Sequence, residues 1–397
     1  MALIPFNRPL VLEAGYEYLR QAVAEGHLSG DGRFTRQCHA RLERLLGVPK
    51  ALLTTSCTHA LEMAALLLDV RPGDEVIVPS FTFVSTANAF VLRGARPVFA
   101  DVRPDTLNLD ESRLEQLITP RTRAIVPVHY AGVACDMDAI GRVAARHGVA
   151  VVEDNAHGLF GRYAGRPLGT FGCLAALSFH ETKNFSCGEG GALLVNDARY
   201  AERAEVLREK GTDRSRFFRG ESDKYTWRDV GSSYLPSDAL AALLFAQLEA
   251  HERIQARRRE IWVRYAKGLR DWADGAGVRL PVVPAGCEQA YHLFYLLLPS
   301  AEQRQALIAA LRARGAHAIF HSLPLHLSDM GRRFGGREGD CPVTEAVADR
   351  LVRLPLFYDL TEADQARVIE ATRAFRGGRT HVPAGDPLGP PANRHAA

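Results

Sequence analysis

The chain is short of every feature that would tie it to a membrane, a disulfide scaffold or a nucleic acid. Its seven cysteines (Cys38, Cys57, Cys135, Cys173, Cys187, Cys287, Cys341) are odd in number and contain no CxxC pair. That spacing argues against a disulfide framework and a zinc ribbon, and reduced thiols are the plain reading. No run of about 18 apolar residues occurs, and Met1 to Pro9 lacks the basic and apolar regions of an export signal, so no membrane span is expected and the location should be cytoplasmic. Neither sign of charge dominates: 49 Lys and Arg stand against 46 Asp and Glu, net +3. Without a global basic footprint, nucleic acid is not an expected partner.

What is present is an ordinary globular composition. With 397 residues, 47% hydrophobic and 24% charged, the chain is long and apolar enough for two folding units and excludes wholesale disorder. Between about residues 50 and 200, short apolar runs alternate with segments of helical period, the pattern of an α/β fold whose mostly parallel sheet is covered on both faces. The strands are expected at 51–54, 76–79, 97–102, 124–129, 149–153, 175–179 and 192–195, with helices over 60–69, 86–93 and 137–147. A continuous helical pattern from Ser237 to about Lys267 should bridge into a smaller α+β unit, with a strand at 291–298, a helix at 302–314 and a last helix at 361–375. The expected division is a large α/β domain over 1–254, a small C-terminal domain over 255–376, and a tail over 377–397 whose Gly, Pro and polar residues predict disorder.

Two strand ends carry the strongest chemical signal. Val151-Val152-Glu153-Asp154-Asn155-Ala156-His157 delivers an acid, and Ser178-Phe179-His180-Glu181-Thr182-Lys183-Asn184 delivers an amine. Ligands of open α/β sheets collect at the carboxyl ends of strands, where both groups would sit. Pyridoxal phosphate needs that combination: a lysine to condense with its aldehyde, and a carboxylate to keep its pyridinium nitrogen protonated. Taken alone, the pair fits a structural ion pair at the sheet edge equally well. A third element, Thr54-Thr55-Ser56-Cys57-Thr58-His59-Ala60-Leu61, runs from a strand through a polar turn into a helix, and such a helix start can hold a phosphate. An unliganded Ser/Thr cap would give the same local pattern; the three elements together are three requirements of one cofactor.

These elements, with Leu61 to Asp69, Pro72 to Ile77, Phe83 to Gly94, Val128 to Cys135, Ser178 to Asn184 and Asp223 to Asp229, make residues 3–376 resemble the sugar-nucleotide aminotransferases, fold-type-I pyridoxal phosphate enzymes. The resemblance implies that Lys183 is the Schiff-base lysine and proton shuttle, Asp154 the pyridinium partner and Phe83 the aromatic stacked on the ring. It places Cys57, Thr58 and Ser178 on the phosphate and His157 on the phenolic oxygen. Ser233, in Gly231-Ser232-Ser233-Tyr234, stands where the family usually carries an asparagine that reaches the partner subunit's phosphate. A homodimer with shared sites, L-glutamate as donor, and a dTDP-linked 4-keto-6-deoxyhexose as acceptor are further implications. Other nucleotide-linked keto sugars or keto positions, and a sugar dehydratase of the same fold, are alternatives; the sugar dehydratases carry histidine where this chain has Lys183.

The diphosphate of such a substrate requires cationic or hydrogen-bonding groups, for which Arg219, Lys224 and Tyr225 are candidates, an ordinary solvated loop being the competing explanation. His326, in Leu323-Pro324-Leu325-His326, is expected to line the substrate cleft. Arg253, Arg257, Arg258, Arg259 and Arg264 alternate with Glu252, Glu260, Ile254 and Ile261, the pattern of a half-exposed helix with snorkelling arginines. His317, His321, His326 and Cys341 match no common zinc spacing, so no metal is expected. Gly188-Glu189-Gly190-Gly191 precedes a strand rather than opening a helix, so it is no dinucleotide loop.

Overall fold

A computed structural model describes residues 3–377 and 386–389. Seven strands form the central sheet: β1 (Lys50–Thr54), β2 (Glu75–Pro79), β3 (Arg96–Ala100), β4 (Thr122–Ile125), β5 (Ala150–Asp154), β6 (Leu174–Ser178) and β7 (Gly191–Val195). Their spatial order is β1-β7-β6-β5-β4-β2-β3. β7 runs antiparallel to both neighbours, and every other pairing is parallel. Thr54, Asp154 and Ser178 therefore end their strands at one edge of the sheet. Thr54 and Ser178 flank Gly191 from its two sides.

The apolar runs bury both faces. On one, Leu52, Leu174, Ala176 and Leu193 meet Leu61, Ala64, Ala65 and Leu67 of helix α1 (Cys57–Leu67). On the other, Leu53, Ala175, Leu177 and Leu194 meet Phe34, Leu42, Ala241 and Leu244. Each Leu or Phe among them contributes roughly 1.5–3 kcal/mol by leaving water, and strands dry on both faces read as unbroken apolar segments rather than alternating ones.

The long helical pattern starting at Ser237 is not one helix. Helix α2 (Asp238–Glu249) ends at Ala250, and α3 (His251–Ala276) begins immediately after it. The Nδ1–H of His251 donates to the Leu248 carbonyl at 3.1 Å, satisfying one of the carbonyls that the break frees. α3 carries Ile254 into the core under the sheet and Ile261, Tyr265 and Leu269 into a second core, against Phe294, Leu296, Val352 and Leu354. That second core is built on an antiparallel pair, β8 (Phe294–Leu297) with β9 (Leu351–Leu354). Arg258, expected on a half-exposed face, is buried: its Nε and Nη2 donate to the Tyr291 and His292 carbonyls at 3.0 and 2.6 Å.

Two polar staples fasten the smaller sheet's helices to the large sheet. Asp101, just past β3, accepts from the Val343 and Thr344 amides at 3.0 and 2.8 Å and from the Thr344 hydroxyl at 2.8 Å, capping helix α4 (Pro342–Arg350) from outside. His326 joins Ser80 Oγ (2.6 Å) to Glu345 Oε1 (2.9 Å). Within the expected tail, residues 386–389 depart from disorder because they have partners: Asp386 pairs with Arg350 at 2.6 Å, Arg279 donates to the Leu388 carbonyl at 2.7 Å, and Leu388 is buried. Residues 378–385 and 390–397 lie outside the described residues. Among the described residues no helix is long and apolar enough to cross a membrane.

Asp101→Ala removes an external helix cap and leaves buried donors unpaired. It should lower stability by about 2 kcal/mol, read as a lower urea midpoint with an unchanged slope.

Candidate active site

The site is assembled where β1, β5 and β6 end. After β1 the chain turns through Thr55 and Ser56 into α1. Ser56 Oγ accepts from the His59 amide at 3.1 Å, while the Cys57 and Thr58 amides, first in the helix, have no intrahelical acceptor. The turn lies directly against β7: a Cβ on Gly191 would stand 2.3 Å from the Ser56 carbonyl carbon and 2.4 Å from the Cys57 nitrogen. Only glycine fits there, and its absent side chain brings the helix start beside Ser178. Thr58 Oγ1 donates to Ser85 Oγ at 2.8 Å. Open amides, hydroxyls and a helix N-terminus make a cup suited to a phosphate.

Asp154 closes β5 and is 5% exposed. Its carboxylate accepts from Thr86 Oγ1 at 2.7 Å and from the Ala156 amide at 3.2 Å. Burial pushes its pKa up, and the Thr86 hydrogen bond opposes that shift; a cation placed against it would relieve the penalty. Its neighbour Glu153 points the other way and is tied by the Gly169, Phe171 and Gly172 amides at 2.7, 2.6 and 2.7 Å and by His129 Nε2 at 2.9 Å. Because His129 Nδ1 accepts from the Cys135 amide, Nε2 carries the hydrogen donated to Glu153. Glu153 thus secures the turn leading into β6 and leaves Asp154 to face the site. Phe83, the residue preceding the helix Val84–Val91 that carries Thr86, is 70% exposed.

Lys183 sits in the turn after β6, its amide donating to the His180 carbonyl at 2.9 Å. Burial pushes its amine below the ordinary lysine range; the Cys57 thiol and Asp154 oppose the shift and Arg353 adds to it. Next to it, Asn184 donates to the Ala290 carbonyl at 2.6 Å and accepts from His292 Nδ1 at 2.9 Å. His292 stacks on His157 with ring centroids 4.2 Å apart, and His157 stacks on His321 at 6.0 Å. His321 Nδ1 is hydrogen-bonded to the Tyr130 hydroxyl at 2.6 Å. Burial, the largest cause, holds His157, His292 and His321 well below the ordinary histidine range. His157 Nδ1 is buried with no partner among the described residues, an orphan position that an oxygen of a bound ring can fill.

The structure therefore brings Cys57, Thr58, Ser178, Asp154, His157 and Lys183 to one edge. The other candidates stand apart. Arg219 is engaged by Glu221 (2.7 Å) and Glu205 (2.8 Å), and Glu205 also pairs with Lys50, at the opposite end of β1 from the cup. Lys224 and Tyr225 are exposed, with the Tyr225 ring against Phe217 at 5.7 Å. Ser233 is exposed beside the cup, where the next residue, Tyr234, accepts from the Thr55 amide at 2.9 Å. His326 does not line the cleft: it is fully buried, and both ring nitrogens are spent on Ser80 and Glu345. Its place is taken by His321, five residues earlier. Sequence reasoning also missed Tyr130, Asn184 and His292. Asn184 and Tyr130 lie within the stretches that carry the family resemblance, whereas His292 has only its position before a strand.

An anion cup, a buried acid, an orphan imidazole nitrogen and a desolvated amine on the carboxyl edge of such a sheet define a fold-type-I pyridoxal phosphate enzyme. The family model for the DegT/DnrJ/EryC1/StrS aminotransferases matches residues 12–373. The spore coat polysaccharide biosynthesis protein SpsC of Bacillus subtilis (strain 168) is 35% identical over 378 residues, covering 93% of this chain and 96% of that protein. The aminotransferase TlmJ from Streptoalloteichus hindustanus is 35% identical with a TM-score of 0.86, covering 94% of this chain and 98% of that one. Spr1654 from Streptococcus pneumoniae, solved in PLP and PMP forms, is 28% identical, with TM-scores of 0.86 and 0.87 and coverage of 94% of this chain and 98% and 97% of those. The chain belongs to the DegT/DnrJ/EryC1/StrS aminotransferase family, and pyridoxal phosphate is its cofactor. When bound, the cofactor supplies an electron-withdrawing ring that lets an amino group pass between substrates.

Gly191→Ala should loosen the cup and weaken cofactor binding at least tenfold in an absorbance titration, since backbone rather than a flexible side chain opposes the new Cβ. A second expectation follows from Lys183. A depressed native pKa means the unfolded chain binds more protons, so stability rises with pH between the lowered value and the ordinary one near ~10.4. In cofactor-free protein, Lys183→Met should melt higher than wild type at pH 7, and the gap should narrow as pH approaches the ordinary lysine range.

Proposed function

We propose that this aminotransferase moves the amino group of L-glutamate to the C4 keto group of dTDP-4-dehydro-6-deoxy-D-glucose, giving dTDP-4-amino-4,6-dideoxy-D-galactose. In this reading it is a dTDP-4-amino-4,6-dideoxygalactose transaminase, a cytoplasmic homodimer serving surface polysaccharide synthesis. The observation that carries the transfer chemistry is the convergence of Lys183 and Asp154 at one desolvated edge beside the Cys57–Thr58 cup. The resemblance of Phe83 to Gly94, Val128 to Cys135 and Asp223 to Asp229 supports the sugar, and the polysaccharide role in the name of SpsC accords with it.

The roles follow from position. The Lys183 amine, its pKa lowered by burial, is placed to take the proton from the donor's α-carbon. With the cofactor bound, Asp154 would accept the ring nitrogen's N–H and keep it protonated, His157 Nδ1 would meet the phenolic oxygen, Phe83 would cover the ring, and Cys57, Thr58 and Ser178 would hold the phosphate. Ser233 completes that phosphate site in a second copy. A dimer face is supported by the segment around Ser233: Phe217, Phe218, Tyr225 and Trp227 are exposed, Trp227 at 78%, more apolar surface than a free loop ordinarily shows. Arg219, Lys224 and Tyr225 contact the substrate diphosphate across that face.

The test is to incubate the holoenzyme with glutamate and dTDP-4-keto-6-deoxyglucose and determine the product by NMR. An axial 4-amino group is expected; a 3-amino or equatorial product would remove the specific name. Asp154→Asn should reduce turnover by at least a hundredfold, because a neutral amide cannot hold the ring nitrogen charged. Arg219→Glu should raise the KM for the sugar nucleotide more than it changes kcat.

A further inference from the structure

The ring of His157 makes no hydrogen bond among the described residues, and its Nδ1 is buried. Its orientation therefore rests on the rings around it. His292 is the nearest, stacked face to face with centroids 4.2 Å apart and planes inclined by 26°. His321 stands further off at 6.0 Å, and Tyr130 presents an edge at 5.9 Å. At the His292 distance the two faces touch, so His157 cannot turn about its Cβ–Cγ bond without driving an edge into its neighbour.

His292 is itself fixed, and Asn184 is its clamp. Asn184 Nδ2 donates to the Ala290 carbonyl at 2.6 Å, which leaves Oδ1 as the acceptor facing His292 Nδ1 at 2.9 Å. The His292 hydrogen is therefore on Nδ1. Asn184 and His292 are 7% and 8% exposed, so water does not compete for that bond. The Ala290 amide donates to the Gly132 carbonyl at 2.9 Å, and a Cβ on Gly132 would stand 2.8 Å from the Ala290 Cβ and 2.9 Å from the His157 carbonyl oxygen. The segment 290–292 ahead of β8 thus lies against both the backbone and the ring of His157. Burial keeps both imidazoles below the ordinary histidine range, with Lys183, His321 and Arg353 acting on the pair in the same direction and Arg258 on His292 as well. The stack carries no charge repulsion.

We propose that His292 is a positioning residue for the amino transfer: clamped by Asn184, it holds the ring plane of His157, and with it the direction of the hydrogen bond that His157 Nδ1 offers to an oxygen of the cofactor. A hydrogen bond weakens steeply as donor and acceptor fall out of line, and nothing but stacking sets that line here. The same clamp reaches the reacting amine. Asn184 directly follows Lys183, so the lysine turn and the His157 ring are held through one side chain.

The inference rests on the cofactor contact given to His157 above and is indifferent to both substrates. Its test is a pH titration of the pyridoxal phosphate holoenzyme, reading the midpoint of the change in its visible absorption band. A hydrogen bond donated to the phenolic oxygen favours the deprotonated chromophore, so a donor that loses its aim raises the midpoint. His292→Leu, which removes the flat ring and the Asn184 contact, should raise it by about one pH unit, a tenfold change in proton affinity. His292→Phe keeps the stacked face and should stay closer to wild type. In a His157→Phe background, His292→Leu should move the midpoint no further, because the group that it positions is gone. An unmoved midpoint in His292→Leu would overturn the proposal, as would the same shift with and without His157. Should a variant fail to take up the cofactor, nitrogen NMR of the cofactor-free wild-type protein decides: a His292 hydrogen on Nδ1 supports the clamp, and one on Nε2 removes it. No substrate enters either measurement, so a wrong sugar or donor leaves the outcome untouched.

Discussion

Everything in this protein depends on keeping an amine and a carboxylate dry at the same edge of a sheet. Lys183 and Asp154 each lose solvation there, in opposite electrostatic senses, and burial dominates both shifts. Among the described residues neither group has an oppositely charged partner in ion-pair contact, which is unusual for desolvated ionisable side chains. The surrounding structure carries that penalty through the strands dry on both faces that end in Asp154 and Ser178, and through Glu153, whose four-way tie of three amides and an imidazole stabilises the adjoining turn. The penalty is electrostatic rather than conformational, and a bound cationic ring with an aldehyde would relieve it for both groups.

Burial also explains the imidazole column. Three histidines stacked at 4.2 and 6.0 Å would repel one another if charged, and burial keeps each below its ordinary range, so the stack persists as a set of neutral hydrogen-bonding rings. Each is oriented by a different neighbour: His292 by Asn184, His321 by Tyr130, and the His292 backbone by Arg258 from the long helix. His157, between them, is held by packing alone on its Nδ1 side. A ring so placed can meet a ligand oxygen without first breaking a bond.

The sheet, its mostly parallel character and the positions of Lys183, Asp154 and the α1 cup were legible because each is encoded locally, in a strand end or a helix start. In the sequence Gly191 shows only that its glycine segment precedes a strand; its steric reason, the Ser56–Cys57 turn pressed against it, requires the pairing of β7 between β1 and β6. The break at Ala250 escaped a periodicity argument because apolar residues continue through it, while the stop is made by a single imidazole on a carbonyl. His326 and His321 were exchanged for a similar reason. Both lie in one short segment rich in His, Leu and Pro, and which of them meets the site depends on Ser80 and Glu345, more than 240 residues apart in sequence. The contacts of Arg353 carry no local signal at all, since they depend on β8 and β9 pairing and on the N-terminal segment crossing beneath it.

That N-terminal crossing and the two staples bear on how the cleft works. Asp101 and His326 tie the smaller sheet's elements to strands β2 and β3, and Asn7 ties the first residues to the lysine turn. Opening the cleft by swinging the small unit would break a buried helix cap, the buried Ser80–His326 hydrogen bond and the Asn7–Glu181 contact together. Each is worth on the order of 1 kcal/mol or more, and they would have to fail at once. Substrates must therefore enter a cleft whose walls are already in place, with adjustment confined to exposed side chains such as Phe83 and the segment from Arg214 to Val230. Preorganisation of this kind suits an enzyme that must seat two different substrates in turn on one catalytic edge, because the fixed groups serve both.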